Sequence, residues 1–176
     1  MKRKDRFDQI VIETTGLADP APVAQTFFVD EEMKAMLRLD AIVTVADAKH
    51  LIAHLDDVKP DGVGNEAVEQ IAFADRIVLN KVDLVDGDAL AEVEGRIRAI
   101  NAMAPVVRTS FGTVDLDGIL DIGAFDLDRT MAVDPAFLAV DAQHQYDLTV
   151  TSVGISAEGL LDEKRLNKWL MGLLRD

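Results

Sequence analysis

Ile77-Val78-Leu79-Asn80-Lys81-Val82-Asp83 is a short apolar run that changes directly into polar residues. An uninterrupted apolar run, as opposed to an alternating one, is typical of a strand that is covered on both faces in a parallel sheet. In open α/β sheets the ligand binds beyond the carboxyl ends of the strands. The stretch therefore predicts a buried parallel strand over residues 77–79 and a ligand site in the residues that follow.

Other parts of the chain have the same form, an apolar run closed by polar residues. These runs are Phe7–Ile12 before Glu13, Ala41–Ala46 before Asp47, and Val106-Val107 before Arg108, Thr109 and Ser110. Helical patterns separate the runs. The order strand, helix, strand, helix predicts a doubly wound, mostly parallel α/β sheet.

The helical patterns carry recognisable start signals. Asp19 and Pro20 supply an N-cap and a first-turn proline for a helix that continues through Phe27. Residues 65–74 place apolar side chains on one side and predict a second helix. A third is predicted to be capped by Asp88, because apolar residues recur behind it at helical spacing, namely Leu90, Val93, Ile97 and Ile100.

The character of the sequence changes after Phe125. Residues 126–147 hold five aspartates without clear periodicity, which predicts an acidic connector. A strand is predicted over residues 148–155 and a helix from about Asp162, with Trp169 as a core residue of its apolar face. The predicted division is an α/β domain over 1–125, the connector over 126–147, and the beginning of a small α+β unit over 148–176.

Composition narrows the class of partner. The 176 residues contain 18 Lys and Arg against 32 Asp and Glu, a formal net charge of -14. Such a surface repels nucleic acid and anionic membranes, so neither is expected as a partner. The sequence has no cysteine, so any metal site must use histidine and carboxylates. No apolar run has membrane-spanning or signal-peptide length, and we expect a cytoplasmic protein.

Residues 80–83 have the chemistry to read a guanine base. Guanine presents two adjacent donors, its ring N1–H and its exocyclic amine, and the carboxylate of Asp83 can accept both. Adenine has an acceptor at N1, so the same carboxylate disfavours an ATP site. Asn80 can bond the other edge of the base or tie neighbouring loops together, and the Lys81 stem can lie on the purine face. The alternative is an ordinary polar loop between a strand and a helix.

Glu13-Thr14-Thr15-Gly16 follows the first apolar run. A carboxylate at a strand end can hold Mg²⁺ through water in a P-loop nucleotidase. Gly16 allows a backbone N–H to approach a terminal phosphate because it has no side chain. The alternative is an acidic residue that closes a strand before a turn.

Three blocks of the sequence resemble the CobW-type GTPases, relatives of the HypB and UreG nickel-delivery GTPases that act as metallochaperones or metal-insertion factors. The blocks are residues 13–23, Asp47-Ala48-Lys49-His50, and residues 80–85. The resemblance implies a P-loop NTPase-like fold that binds GTP or GDP with Mg²⁺ and delivers a metal, zinc or cobalt, to a client metalloprotein. It implies these site residues: Glu13 on the Mg²⁺ side, Gly16 at the γ-phosphate, Asn80, Lys81 and Asp83 on guanine, and Thr109 and Ser110 in the loop over the base.

A P-loop has the form G-x-x-x-x-G-K-[ST], and none of the 11 glycines here is followed by lysine. In the family this loop, a strand and a Cys-x-Cys-Cys metal motif lie amino-terminal to the position of Glu13. We therefore expect a sheet that is incomplete at its amino-terminal side and little or no GTPase activity from this chain alone. The alternative is a non-catalytic protein-binding module. His50 and His54, four residues apart, could form a metal pair, but ordinary surface histidines are expected.

Overall fold

The computed structural model describes residues 7–16, 18–59, 64–139, 156, 159 and 161–173. Two helices come first, α1 (Pro20–Val29) and α2 (Glu31–Met36). Strands and helices then alternate in the order β1 (Val43–Asp47), α3 (Leu51–Leu55), α4 (Glu66–Ala72), β2 (Arg76–Asn80), α5 (Gly87–Ile100) and β3 (Val106–Arg108). The last described helices are α6 (Leu127–Val133) and α7 (Glu163–Leu173).

The three strands form one parallel sheet in the order β1-β2-β3. Strand β2 lies in the middle and pairs Val78 with Val45 of β1 and with Val107 of β3. Its Ile77 and Leu79 point to one face and are 0% exposed, and Val78 points to the other face and is 4% exposed, as expected for a strand covered on both faces. The predicted α/β class and parallel sheet are confirmed, and all three carboxyl ends of the strands meet at one edge.

Capping side chains set where the helices begin. Asp19 accepts from the amide of Ala21, and Pro20 opens α1, as predicted. Asn65 caps α4 in the same way. The predicted cap at Asp88 is wrong by two residues, because Asp86 caps α5 by accepting from Ala89 N–H and Asp88 lies in the first turn. Asp88 lies inside the helix, where its carboxylate still favours the positive end of the helix dipole.

The main core lies between the sheet and helices α3, α4 and α5. It includes the fully buried side chains Ile71, Ile77, Leu79, Val93 and Ile97. Asn101, at the end of α5, is a buried polar residue of this region. Its Nδ2 donates to the carbonyls of Ile71 and Ala74 at 2.9 Å, and its Oδ1 accepts from Ala104 N–H at 3.0 Å. The end of α5 is thereby fixed to the end of α4, which precedes β2.

A smaller cluster packs α1 against the segment after β3. It contains Ala21, Ala24, Phe73 and Phe137, with Phe28 packed against it. Helix α6 and the buried Phe137 fall in residues 126–147, the predicted acidic connector, whose sequence has no clear periodicity. The helix forms because Asp126 caps it by accepting from Arg129 N–H. The division of the chain into domains stays a prediction.

Arg129 of α6 pairs with Asp75, directly before β2. Asp75 is 2% exposed, and its Oδ2 accepts from Ile42 N–H at 2.6 Å. Burial lowers the pKa of the Arg129 guanidinium, but an arginine remains charged at neutral pH. The pair therefore joins α6 to the amino-terminal ends of β1 and β2.

The predicted strand at Phe7–Ile12 is wrong: these residues have no regular secondary structure and are exposed, Val11 to 76%. An isolated strand cannot satisfy its backbone hydrogen bonds, and the described sheet pairs this run with no neighbour. The predicted strand over 148–155 lies outside the described residues. Trp169, predicted to be a core residue, is half exposed on α7. No helix in the described part of the chain is long and apolar enough to cross a membrane.

Candidate nucleotide-binding site

The first loop of the site leaves the carboxyl end of β2. Lys81 follows Asn80 with φ +61°, in the left-handed region that non-glycine residues rarely adopt. The chain then forms a 3₁₀ turn over Val82–Leu84, closed by Leu84 N–H donating to the Lys81 carbonyl at 3.0 Å. The left-handed residue reverses the chain direction directly after the strand, which places Asp83 on the exposed turn.

The second loop follows β3 and is bonded to the first. Thr109 N–H donates to the Leu79 carbonyl at 2.9 Å, and Val82 N–H donates back to the Thr109 carbonyl at 3.3 Å. Gly112 N–H donates to the side-chain Oδ1 of Asn80 at 3.1 Å. The two segments, residues 80–84 and 109–113, are called the base-side loops below. Asn80 ties them together, one of the two roles predicted for it.

Thr109 and Ser110 both lie in the second base-side loop. Thr109 is buried and its hydroxyl donates to the Thr113 carbonyl, so it fixes the shape of the loop. Ser110 is half buried, and its carbonyl accepts from Thr113 N–H at 3.2 Å. Contact of either residue with a ligand stays a prediction.

Lys81 makes an ion pair with the adjacent strand. Its Nζ lies 2.6 Å from Oδ2 of Asp47, the last residue of β1. The same oxygen is 3.0 Å from Nδ1 of His50, and Oδ1 accepts from Lys49 N–H at 2.9 Å. Partial burial raises the pKa of the Asp47 carboxyl, but hydrogen bonds from His50, Lys81 and Lys49 N–H outweigh it and hold that pKa well below its ordinary value.

The first base-side loop carries three polar side chains with different hydrogen-bonding capacity. The Asp83 carboxylate is exposed and has no hydrogen-bond or ion-pair partner in the described residues, so both oxygens are open to donors. Asn80 uses its Oδ1 on Gly112, which leaves its amide Nδ2 as a donor for the base. The ammonium of Lys81 is held by Asp47, and this fixes where its aliphatic stem can lie. Residues 80–83 therefore supply an acceptor, a donor and an apolar stem.

Glu13 and Gly16 lie in residues 7–16, which are all exposed. These residues are called the amino-terminal segment below. Glu13 makes no hydrogen bond or ion pair with the rest of the described chain. A single exposed carboxylate fits Mg²⁺ held through water, because this ion keeps several of its waters and takes few protein ligands. The end of the segment is attached: Gln70 of α4 donates from Nε2 to the carbonyls of Gly16 at 3.0 Å and Ala18 at 2.9 Å.

A direct protein site for a transferred metal is not formed by the described residues, which contain no cluster of three or more His, Asp or Glu side chains able to hold an ion. His50 and His54 do not act as a pair here. His50 occupies the N-cap position of α3 without a side-chain capping bond and has its Nδ1 3.0 Å from Asp47 Oδ2, and His54 lies within the helix.

Three residues that support the site were not predicted from the sequence. Asp47 was noted as part of a motif, but its pairing with Lys81 was not foreseen; its position at the end of the adjacent apolar run was the available signal. Gly112 could have been suspected as a glycine in a strand-end loop. Gln70 lies in the middle of a helix, and nothing in the sequence pattern indicates that its side chain reaches the segment after Gly16.

The sequence of the chain matches one family of nucleotide-binding domains. The model of the CobW/HypB/UreG nucleotide-binding domain family matches residues 1–108. The Schizosaccharomyces pombe protein named zinc-regulated GTPase metalloprotein activator 1 is 38% identical over 170 residues, covering 89% of this chain and 40% of that protein. The Escherichia coli zinc chaperone YjiA is 32% identical over 170 residues, covering 96% of this chain and 50% of that protein.

The fold also matches a solved structure of one of these relatives. The crystal structure of the Zn(II)-bound YjiA GTPase from E. coli superposes with a TM-score of 0.60 at 36% identity, over 69% of this chain and 36% of that one. The chain thus spans half or less of the length of each of these relatives.

Proposed function

The chain belongs to the CobW/HypB/UreG family, and on this premise we propose that it carries the guanine-reading side of a GTPase site. The observation that carries the proposal is the open Asp83 carboxylate beside Asn80, on two loops bonded to each other. In this proposal Asp83 accepts from N1–H and the exocyclic amine of guanine. Asn80 donates from Nδ2 to the other edge of the base, and the Lys81 stem lies on its face.

The phosphate side of the proposed site uses the amino-terminal segment. Glu13 would hold Mg²⁺ through water, and the N–H of Gly16 would face the γ-phosphate. The bound ion would neutralise charge that develops on the phosphate oxygens. The exposure of Glu13 and the lack of a side chain at Gly16 support this assignment.

We propose that the family activity is GTP hydrolysis coupled to delivery of zinc or cobalt to a client metalloprotein in the cytoplasm. The names of two relatives, zinc-regulated GTPase metalloprotein activator 1 and zinc chaperone YjiA, favour zinc. For the 176 residues alone we propose guanine binding with little or no hydrolysis, because the sequence has no Gly-Lys pair of a Walker A loop. A non-catalytic binding module is the second candidate, favoured by the same feature.

The test is calorimetric titration of the chain with GDP, GTP and ATP in Mg²⁺, for wild type and Asp83→Asn. We expect wild type to prefer guanine nucleotides and Asp83→Asn to lose about 100-fold in guanine affinity, since two charge-assisted hydrogen bonds are affected. The variant should gain affinity for xanthine nucleotides, because xanthine carries an acceptor where guanine carries the amine.

Asp88→Asn is the matched control, because Asp88 is an exposed carboxylate in the first turn of α5. It should leave the guanine affinity unchanged. Equal affinity of wild type for ATP and GTP would contradict the proposed base recognition. Multiple-turnover GTP hydrolysis by the chain would contradict the proposed inactivity and exclude the non-catalytic module.

A further inference from the structure

The exposure of Phe111, in the second base-side loop, does not follow from the loop contacts described above. Its side chain is 90% exposed, although burying an aromatic ring is among the largest hydrophobic gains open to a side chain. Single exposed apolar residues are common on protein surfaces, so exposure alone assigns nothing. Here a second observation accompanies it.

The backbone of Phe111 has φ +56°, in the left-handed region. A bulky non-glycine residue is rarely found there, and strained residues of this kind concentrate at ligand sites. Gly112 follows with φ +68°. Lys81, in the facing loop, is the other non-glycine residue of the base-side loops with positive φ. Each base-side loop thus contains one residue with a large side chain, Lys81 or Phe111, whose backbone conformation is unfavourable.

Phe111 lies at the tip of its turn and next to the contact with the other loop. The turn is closed by Thr113 N–H donating to the Ser110 carbonyl at 3.2 Å and by the Thr109 hydroxyl donating to the Thr113 carbonyl. The residue after Phe111 is Gly112, whose N–H bonds the side chain of Asn80 at 3.1 Å. Phe111 and Lys81 are therefore the chain neighbours of the two groups that join the loops.

We propose that Phe111 is a base-stacking residue of the nucleotide site. In the complex its ring lies on one face of the purine and the Lys81 stem on the other, while Asp83 reads the edge between them. Stacking accepts any purine face, so Phe111 contributes affinity and Asp83 contributes discrimination. This inference rests on the proposed function and adds to it the residue that covers the base.

The experiment compares wild type with Phe111→Ala, Phe111→Tyr and Phe111→Gly by titrating the full chain with guanosine and with GDP. Loss of one stacking contact predicts a 5- to 150-fold weaker affinity, to order of magnitude, for both ligands in Phe111→Ala. Phe111→Tyr keeps an aromatic face and should stay within about threefold of wild type. The preference for guanosine over adenosine should not change, because Asp83 is intact.

Phe111→Gly separates stacking from a role in loop shape. Glycine removes the strain of positive φ, so the variant should be at least as stable as wild type to heat. If Phe111 only shapes the turn, glycine should restore guanosine binding. If the ring stacks on the base, Phe111→Gly should bind as weakly as Phe111→Ala.

Fluorescence gives an independent measurement. Phe111→Trp in a Trp169→Phe background contains one tryptophan, and guanosine should quench its emission through contact with the base. Adding Asp83→Asn should abolish the quenching at the same guanosine concentration. Phe7→Trp in the same background is the control, because Phe7 is an exposed aromatic residue of the amino-terminal segment, and its emission should not change.

The outcomes separate the inference from the proposed function. Guanosine binding that depends on Asp83 but is equal in wild type and Phe111→Ala overturns the stacking role alone. Absence of guanosine binding by wild type overturns the proposed base site together with the stacking role.

Discussion

The base-side loops are held by the sheet and by each other, whereas within the described residues the amino-terminal segment is attached only at its carboxyl end. In the loops, Thr109 N–H bonds the Leu79 carbonyl and Gly112 N–H bonds Asn80. In the segment, Val11 is 76% exposed, and the described tether is the side chain of Gln70. The base-side loops follow apolar runs, the amino-terminal segment contains one, and both regions have residues suited to nucleotide chemistry.

The difference shows that a site residue is positioned by the strand before it. Strand β2 has a partner on each side, so the residues that leave it start from a fixed point. The run Phe7–Ile12 is interrupted by Asp8 and Gln9, and it pairs with nothing in the described sheet. A strand is stabilised by its cross-strand neighbours, and a sequence motif behind an unpaired run has no fixed platform.

Removing the support of the base-side loops should have the largest effect. Leu79→Ala deletes a side chain that is 0% exposed, directly before Asn80. We expect the free energy of unfolding to fall by about 2 to 5 kcal/mol, because a buried leucine leaves a cavity that the sheet cannot fill. Urea denaturation followed by circular dichroism measures it.

Val11→Ala is the control in the amino-terminal segment. An exposed side chain contributes little packing, so the change should stay within about 0.5 kcal/mol. A loss at Val11 as large as that at Leu79 would contradict the contrast between the two regions.

The need of a strand for pairing neighbours also decides how much of the fold could be predicted from the sequence. The strands after residue 40 were predictable because their apolar runs are short, continuous and closed by polar residues. The caps at Asp19 and Asn65 were predictable because capping is local chemistry. Phe7–Ile12 was not, since Asp8 and Gln9 interrupt its apolar pattern and the sequence does not show whether a strand is available to pair with it.

At the site, residue types were predictable and contacts were not. Asp83 and Asn80 could be identified from a four-residue motif. The pairing of Lys81 with Asp47 joins residues 34 positions apart, and only the parallel register of β1 and β2 brings the ends of these strands together. The left-handed backbone at Phe111 was equally hidden, because propensity argues against it.

A smaller effect is expected from the ion pair that joins β1 to the first base-side loop. The depressed pKa of Asp47 means that the folded state favours its charged form. This stability is present above the ordinary aspartate pKa of about 4 and is lost as pH falls through the lower folded-state value. Asp47→Asn should therefore be less stable than wild type by about 1 kcal/mol or less at pH 7.

The stability difference should shrink as the pH is lowered toward 3, measured by urea denaturation at several pH values. Asp8→Asn, in the amino-terminal segment, is the matched control and should show no such pH-dependent difference. A gap between Asp47→Asn and wild type that stays constant across this range would mean that the contact does not depend on the charge of Asp47.

The smallest effect is expected where the amino-terminal segment is attached. Gln70→Ala removes two donors from one side-chain nitrogen, to the carbonyls of Gly16 and Ala18. These bonds are partly exposed, so global stability should change by less than about 1 kcal/mol. The readout is local: the amide of Ala18, which donates to the Thr15 carbonyl at 3.0 Å, should exchange with solvent about fivefold faster.

Gln25→Ala controls for loss of a glutamine side-chain bond elsewhere, since Gln25 Nε2 donates to the Ala139 carbonyl at 3.1 Å. It should leave exchange at Ala18 unchanged. Unchanged exchange at Ala18 in Gln70→Ala would mean that the turn after Gly16 holds itself. Faster exchange there, with the amides of β2 unaffected, would show that α4 restrains the phosphate side of the proposed site independently of the sheet. The two halves of that site could then move separately, which a nucleotide-dependent switch requires.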